Sequence, residues 1–565
     1  MTDLTLLPRP RQLRLSTERT PLHVPVQTTI TAGSLPAQGY RLTISATGVE
    51  IVGADAAGVF YGRQTLTQIR RQCPDSLPVC AIEDWPDFLV RGVMLDVSRD
   101  KVPTMATLFA LVDELAEWKV NHLELYMEHT FAYRNHRDVW ALASPFTAAE
   151  IQQLGAYCRE RFIELVPNQN SFGHMHRWLD LPRYRQLAEC PDGFEWPWGG
   201  RGGTFSLNPT DPGSVELLAE LYAELLPNFS SRKFNVGCDE TFDLGQGRSK
   251  AECEKRGKGR VYLDFLKQVY KLTQRHGRTM HFWGDIILHH PELVAELPRD
   301  VVVLEWGYEE NHPFAEHGAL FAKTGIPYYV CPGTSSWCSL SGRTANCLGN
   351  LRVAALQGRQ HGAVGYLNTD WGDHGHWQYL PVSYLGFAAG AALSWCHDAN
   401  RDDNFIAALD LHVFHDEAGI LGRLAHDLGN AYLQLNKPLG NSTGFFHLFM
   451  HGRENPVSRE IPADGLRRAL DCIDSVMQPL RQARSNRPDA ELILAEFAQT
   501  ARMIRHACRY GLRDDPQALD SDLRDLMGEH NRIWLARNRV GGLIDSARRF
   551  EIRLAEHTAA ALSHR

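Results

Sequence analysis

The sequence predicts an α/β chain: a (β/α)8 TIM barrel with a small N-terminal α+β domain before it and a C-terminal helical domain after it. Three observations predict this. Short apolar runs alternate with amphipathic helices about eight times between Phe88 and His397, the pattern of a closed parallel barrel. Before that stretch the apolar residues alternate with period two, and beyond about Asn400 strand-like runs stop. At 565 residues the chain is also too long for one core, and the expected domains are 1–86, 87–399 and 400–565.

Element by element, residues 40–44 and 49–52 read as strands joined by a turn at Ser45-Ala46-Thr47-Gly48. Residues 56–71 have helical spacing, with Val59, Leu66 and Ile69 on one stripe, and Asp84-Trp85-Pro86-Asp87 ends the module. The barrel strands are expected at 89–95, 122–127, 162–166, 233–237, 279–282, 301–304, 327–331 and 363–367. Helices at 104–118, 148–161, 212–226 and 260–276 lie between them. A doubly wound open sheet would want a Gly-rich nucleotide loop after its first strand, and Asp96-Val97-Ser98-Arg99-Asp100 is not one. Helical periodicity marks 406–413, 420–435, 463–478, 489–510 and 521–557. These helices have three open roles: capping the barrel, completing the site from a neighbouring subunit, or forming a homodimer.

The 44% hydrophobic and 22% charged composition is that of a globular protein. A formal charge of −8 argues against binding nucleic acid or an anionic membrane. No apolar run reaches the roughly 18–20 residues of a membrane span, and Met1-Thr2-Asp3-Leu4 does not begin a secretory signal. The 12 cysteines are scattered, without C-x-x-C pairs, as expected of reduced thiols in a cytoplasmic enzyme. His374 and His376 form an H-x-H in a Gly-rich loop, a weak metal signal that reads better as pocket rim, so no metal or cofactor is expected. The basic run at 255–260 reads as solvated loop and helix start.

In a TIM barrel the carboxyl ends of the strands build the active site. Here those ends carry Asp96 and Arg99; Glu128 and His129; Asn168, Asn170 and His174; and Asp239-Glu240. Trp283 and Asp285 follow strand five, Trp306 and Tyr308 follow strand six, and Trp337 lies beyond strand seven. Asp370, Trp371 and Asp373 follow strand eight. Flat aromatic faces with carboxylates and Arg suit a sugar, whose C–H faces are apolar and whose hydroxyls are polar. Asp239-Glu240 carries the most weight. Alternation along a strand would send neighbours to opposite faces, so both meet one ligand only where the strand has ended, and Gly237 allows that departure. Two such close acids repel, favouring a protonated acid beside an ionised partner.

Four stretches now carry a resemblance. Phe234-Asn235-Val236-Gly237-Cys238-Asp239-Glu240-Thr241 resembles the Gly-x-Asp-Glu signature of the family 20 β-N-acetylhexosaminidases. Arg91 to Arg99 is similar to that family's first barrel strand, Val166 to His174 to its third-strand motif, and Gly58 to Leu66 to the end of its preceding domain. The resemblance covers roughly the first 400 residues and implies an exo-acting, retaining hydrolase of terminal N-acetylhexosaminides assisted by the substrate's acetamide. It implies Glu240 as acid/base, Asp239 as acetamide-orienting residue, and His174 as support for the acid. Arg99 and Asp373 would bind hydroxyls, and Trp283, Trp306 and Trp371 would wall the pocket. Glu128, Tyr308, Trp337 and Asp370 complete the expected substrate contacts, Tyr308, Tyr329 and Trp337 being candidates to grip the acetamide. The chain departs from the family at Asn168 and Asn170, where Glu and Asp are usual, and at Glu128-His129, where an Asp usually pairs with the His. Its wording is nearer the hexosaminidase D branch, which favours N-acetylgalactosaminides. Two other readings stay open: a glycosidase of this fold acting on a sugar without an acetamide, and a non-catalytic carbohydrate-binding barrel.

Overall fold

The structure is a computed structural model that describes residues 4–563. Five strands, β1 (Gln12–Pro21), β2 (Val26–Ile30), β3 (Tyr40–Ile44), β4 (Val49–Gly53) and β5 (Ser76–Asp84), form a sheet in the order β1-β5-β3-β4-β2. Alternate residues of β3 and β4 are buried, and Tyr40 pairs with Gly53 across the antiparallel hairpin expected there. Helix α1 (Ala56–Gln72), capped by Asp55, contributes Tyr61, Leu66 and Ile69 to the same core. The edge strands β1 and β2 are mostly exposed: β1 alternates only over its first residues, where Leu13 and Leu15 pack on the core, and every residue of β2 is exposed.

The parallel strands β6 (Arg91–Asp96), β7 (His122–Tyr126) and β8 (Glu164–Val166) follow. After a short hairpin of β9 (Phe194–Glu195) and β10 (Arg201–Gly202) come β11 (Lys233–Asn235), β12 (Thr279–Trp283), β13 (Val302–Trp306), β14 (Tyr328–Cys331) and β15 (Gly365–Asp370). Neighbours run β11-β12-β13-β14-β15-β6-β7-β8. The ring closes where Gln169 N donates to Asn235 O and Asn235 N to Pro167 O, both at 3.0 Å. All eight expected strands are present with bounds shifted by a few residues; β8 starts late because Phe162 turns with φ +56°.

The longer helices outside the ring are α2 (Met105–Glu117), α3 (Ala148–Arg159), α4 (Pro212–Leu225), α5 (Lys258–Arg275), α6 (Phe314–Thr324), α7 (Thr344–Gln360) and α8 (Leu380–Trp395). Thr104 caps α2, a Thr147–Glu150 capping box starts α3, and Asp211 before Pro212 starts α4. Almost every residue of α8 is buried, because helices of the C-terminal region cover it. Its last residue, Trp395, sits in the N-terminal core.

Beyond His397 the described residues form no strand, only helices such as Ile406–His412, Ala463–Met477 and Ala490–Gly511. The sequence-based boundaries need correction here. The helix expected at 521–557 is two, Pro516–Arg537 and Leu543–Ser563, broken at Asn538-Arg539-Val540-Gly541-Gly542. A Cβ on Gly542 would lie 1.8 Å from Asp100 O, so the break seats against the loop after β6. The helix expected at 420–435 stops at Leu428, continuing as a 3-10 turn at Ala431–Leu435, and Gly444–His451 is an additional helix. No helix among the described residues is long and apolar enough to cross a membrane.

Candidate active site

Strand β11 ends at Asn235, and the chain then leaves strand geometry: Gly237, Cys238 and Glu240 have φ of +68°, +69° and +50°. Such backbone is strained for the two non-glycine residues and persists only where surroundings hold it. Those surroundings are specific. Tyr262 OH donates to Cys238 O and Glu240 N donates to Asp285 Oδ2, each at 2.9 Å. A Cβ on Gly237 would lie 1.6 Å from Asn170 Oδ1, so only glycine fits. The turn brings Asp239 and Glu240 to one side: Asp239 Oδ2 and Glu240 Oε2 both lie 3.3 Å from His174 Nε2. Consecutive acids thus share one partner, as the break in strand regularity predicts.

Burial opposes a charge on His174, but Asp239 first and Glu240 after it outweigh that and lift the ring to about 10. Its Nδ1 lies 3.3 Å from Arg99 Nη2 and 3.9 Å from Glu128 Oε1. The repulsion expected of neighbouring acids acts on a third carboxyl. Asp285, at the end of β12, is raised to about 8 by burial and then by the Asp239 charge. A neutral Asp285 accepts the Glu240 amide without adding a third negative charge to the site.

A cleft opens over this pair, lined by Arg99, His174, Asp239, Glu240, Trp283, Trp306, Tyr308, Trp371, Asp373 and Asn441. Trp306 and Tyr308 stack at 5.2 Å, and Trp371 donates from Nε1 to Tyr308 OH at 2.7 Å. Buried polar atoms at the cleft without a hydrogen-bond partner within the protein include Asp239 Oδ1 and Trp283 Nε1. Arg99 is fixed by Asp96 at 3.0 Å and Glu128 at 3.3 Å, and lies over the rings of Tyr126 and Trp371. Asp373 lies 3.9 Å from Arg99 Nε; burial raises its carboxyl to about 6 although Arg99 pulls the other way.

Nine of the twelve expected site residues thus line one cleft. Glu128, Trp337 and Asp370, expected to touch substrate, lie behind its wall. Glu128 is buried under Arg99, which outweighs its burial and holds it at about 2. Trp337 packs edge-on against Tyr308. Asp370 accepts from Thr334 Oγ1 at 2.6 Å and Ser383 Oγ at 2.9 Å, since alternation on β15 turns it away from the cleft. Of the acetamide-gripping candidates, Tyr308 reaches the cleft, whereas Tyr329 lies inside β14 beside His122 and His281. Asp285 is legible as a strand-end acid but not as a partner of the Glu240 amide. Asn441 carries no signal at all: it comes from a C-terminal loop tied by Asn441 N to Glu309 Oε1 at 2.7 Å. Among the described residues two groups have the composition of metal ligands, His174–Asp239–Glu240 in the cleft and Glu305–His312–His317 outside it.

The chain matches two family models: glycosyl hydrolase family 20, catalytic domain, over residues 88–339, and domain 2 of the same family over residues 5–85. Among curated proteins it is 26% identical over 280 residues to a lacto-N-biosidase of Bifidobacterium bifidum, covering 48% of this chain and 24% of that one. It is 26% identical over 315 residues to a beta-hexosaminidase of Porphyromonas gingivalis, covering 50% and 39%. The chain therefore spans well under half the length of either relative. A chitobiase structure from Flavobacterium johnsoniae superposes with a TM-score of 0.61 at 16% identity, over 97% of this chain and 99% of that one, which is a likeness of fold.

Proposed function

Since the chain belongs to glycosyl hydrolase family 20, we propose that it is an exo-acting, retaining β-N-acetylhexosaminidase whose nucleophile is the acetamide of its own substrate. The observation that carries this reading is the pair of consecutive carboxylates delivered by left-handed backbone to one aromatic-walled cleft. Glu240, a third exposed, faces the open side and protonates the glycosidic oxygen; Asp239, nearly buried, accepts the acetamide N–H and aims its carbonyl at the anomeric carbon. Glu240, now a carboxylate, then takes a proton from the water that opens the cyclic intermediate. Arg99 and Asp373 hold ring hydroxyls, and Tyr308 with Trp283, Trp306 and Trp371 encloses the acetamide. His174 holds the two carboxylates at their spacing. The sugar released is a terminal GlcNAc or GalNAc.

A reducing compartment, the cytoplasm, fits the cysteines, all of which are free thiols and all but Cys73 and Cys472 buried. The test is a panel of aryl N-acetylglucosaminides, N-acetylgalactosaminides and simple hexosides, followed by proton NMR of the first sugar released. Hydrolysis of the acetamido sugars with a β first product, and strong inhibition by a thiazoline, supports the reading. Preference for simple hexosides, or an α first product, overturns it.

A further inference from the structure

On the side of β13 away from the cleft, Glu305 is fully buried, and two imidazoles converge on a single oxygen of it. His312 Nε2 lies 2.6 Å and His317 Nδ1 2.7 Å from Glu305 Oε1. We propose that Glu305, His312 and His317 bind a divalent transition metal, with Zn2+ as the best-suited ion, and that the ion ties the aromatic wall of the cleft to α6.

Two imidazoles and a carboxylate are a preferred zinc donor set, and the three ligand atoms lie within 4.8 Å of one another. Zinc distances of about 2.0–2.2 Å put tetrahedral ligands roughly 3.3 Å apart, so each ring need withdraw from Oε1 by only about half an ångström. The rings stand 5.3 Å apart at 74°, an open angle rather than a stack. A hydrogen-bonded pair of imidazoles is a poor account of the same cluster. Both nitrogens crowd Oε1, while Oε2, also buried, has no partner. Tyr328 OH, one strand away, is likewise buried and unpartnered. The side chains of His312 and His317 remain 19% and 25% exposed, which leaves an entry path and a fourth position for water. Glu305 directly precedes Trp306. A Cβ on Gly307 would lie 2.1 Å from the His312 ring, so that ring is seated on the backbone between Trp306 and Tyr308. His317 belongs to α6. An ion on this trio would cross-link wall and helix without touching the hydrolytic groups.

The experiment uses the full chain stripped with a chelator and titrated with Zn2+ by calorimetry, with Co2+ as a visible-absorption probe. Expected are one ion per chain, tetrahedral Co2+ bands and a higher Tm with Zn2+. Glu305→Gln and His317→Asn should each weaken binding by more than about 100-fold, beyond the loss of an outer partner, and His174→Gln should not. Unweakened binding in both variants, loss of binding in His174→Gln, or no binding to the wild type overturns the proposal. Should the variants not fold, X-ray absorption of the Zn2+-loaded wild type decides. Two imidazoles support the site; one, as the cleft trio would give, or none overturns it.

Discussion

Two buried acids at opposite ends of the barrel have nearly the same neighbours and opposite states of satisfaction. At the amino end, where the N-terminal sheet packs, Asp84 accepts from Arg11 N at 3.0 Å, Tyr40 OH at 2.9 Å and Trp395 Nε1 at 2.8 Å, with Lys119 Nζ at 3.5 Å. At the carboxyl end, Asp239 has His174 on one oxygen and nothing on the other, beside the Trp283 indole with no acceptor. Acid, tryptophan, tyrosine and cation occur in both places. A saturated set is mortar between domains, whereas an unsaturated one is shaped for something outside the protein. Residue type alone does not separate the two, but hydrogen-bond accounting does.

That contrast can be broken by substitution. The largest effect is expected for Glu240→Gln, which should lower kcat/KM on aryl N-acetylhexosaminides by about 10²–10⁴, the worth of a general acid, while leaving Tm unchanged. Comparable activity in the variant would remove Glu240 from its role. Asp84→Ala should do the reverse. Loss of a buried acid whose cation and donors stay behind should destabilise by about 3–5 kcal/mol in denaturant melts, with kcat per folded molecule retained. If it also loses activity, the two ends are not separable.

A smaller effect belongs to Asp285. Asp285→Ala removes the acceptor of the Glu240 amide and should lower kcat by about 10–100-fold, whereas Asp285→Asn keeps an acceptor and most of the rate. The same pair reads out protonation. Folded Asp285 keeps its proton up to about 8, while the unfolded carboxyl loses it near 3.8, so the native state binds more protons between those values and its stability falls as pH rises. Thermal melts of Asp285→Asn should therefore gain on the wild type from pH 4 to pH 8 and hold a constant difference above that. The smallest effect is expected for Asn441→Ala, which should raise KM by a few-fold, about the worth of one hydrogen bond, with kcat unchanged.

The barrel was legible because each strand is a short apolar run and each helix has its own stripe, both local signals. The same logic placed Asp239, Glu240, Trp283, Trp306 and Trp371 at strand ends that do converge. It misread Asp370 and Trp337, because nearness to a strand end says nothing about which way a side chain turns. Edge strand β2 is silent and β1 signals only through Leu13 and Leu15, since water, not a core, faces most of their residues. The break at Gly541-Gly542 was written in plain turn chemistry, yet periodicity ran across it. Asn441 lies 200 residues from Thr241 in the chain, and only the tertiary path of the C-terminal loop brings it to the cleft.

The bare α-carbon at Gly237 has one more implication, for how this chain can drift over generations. Because Asn170 Oδ1 occupies the space where a methyl would stand and the backbone at 237 is left-handed with φ +68°, a larger residue there stays strained even after 170 has shrunk. Variation at 237 should be purged whatever stands at 170, although the clash partner lies 67 residues away in the chain.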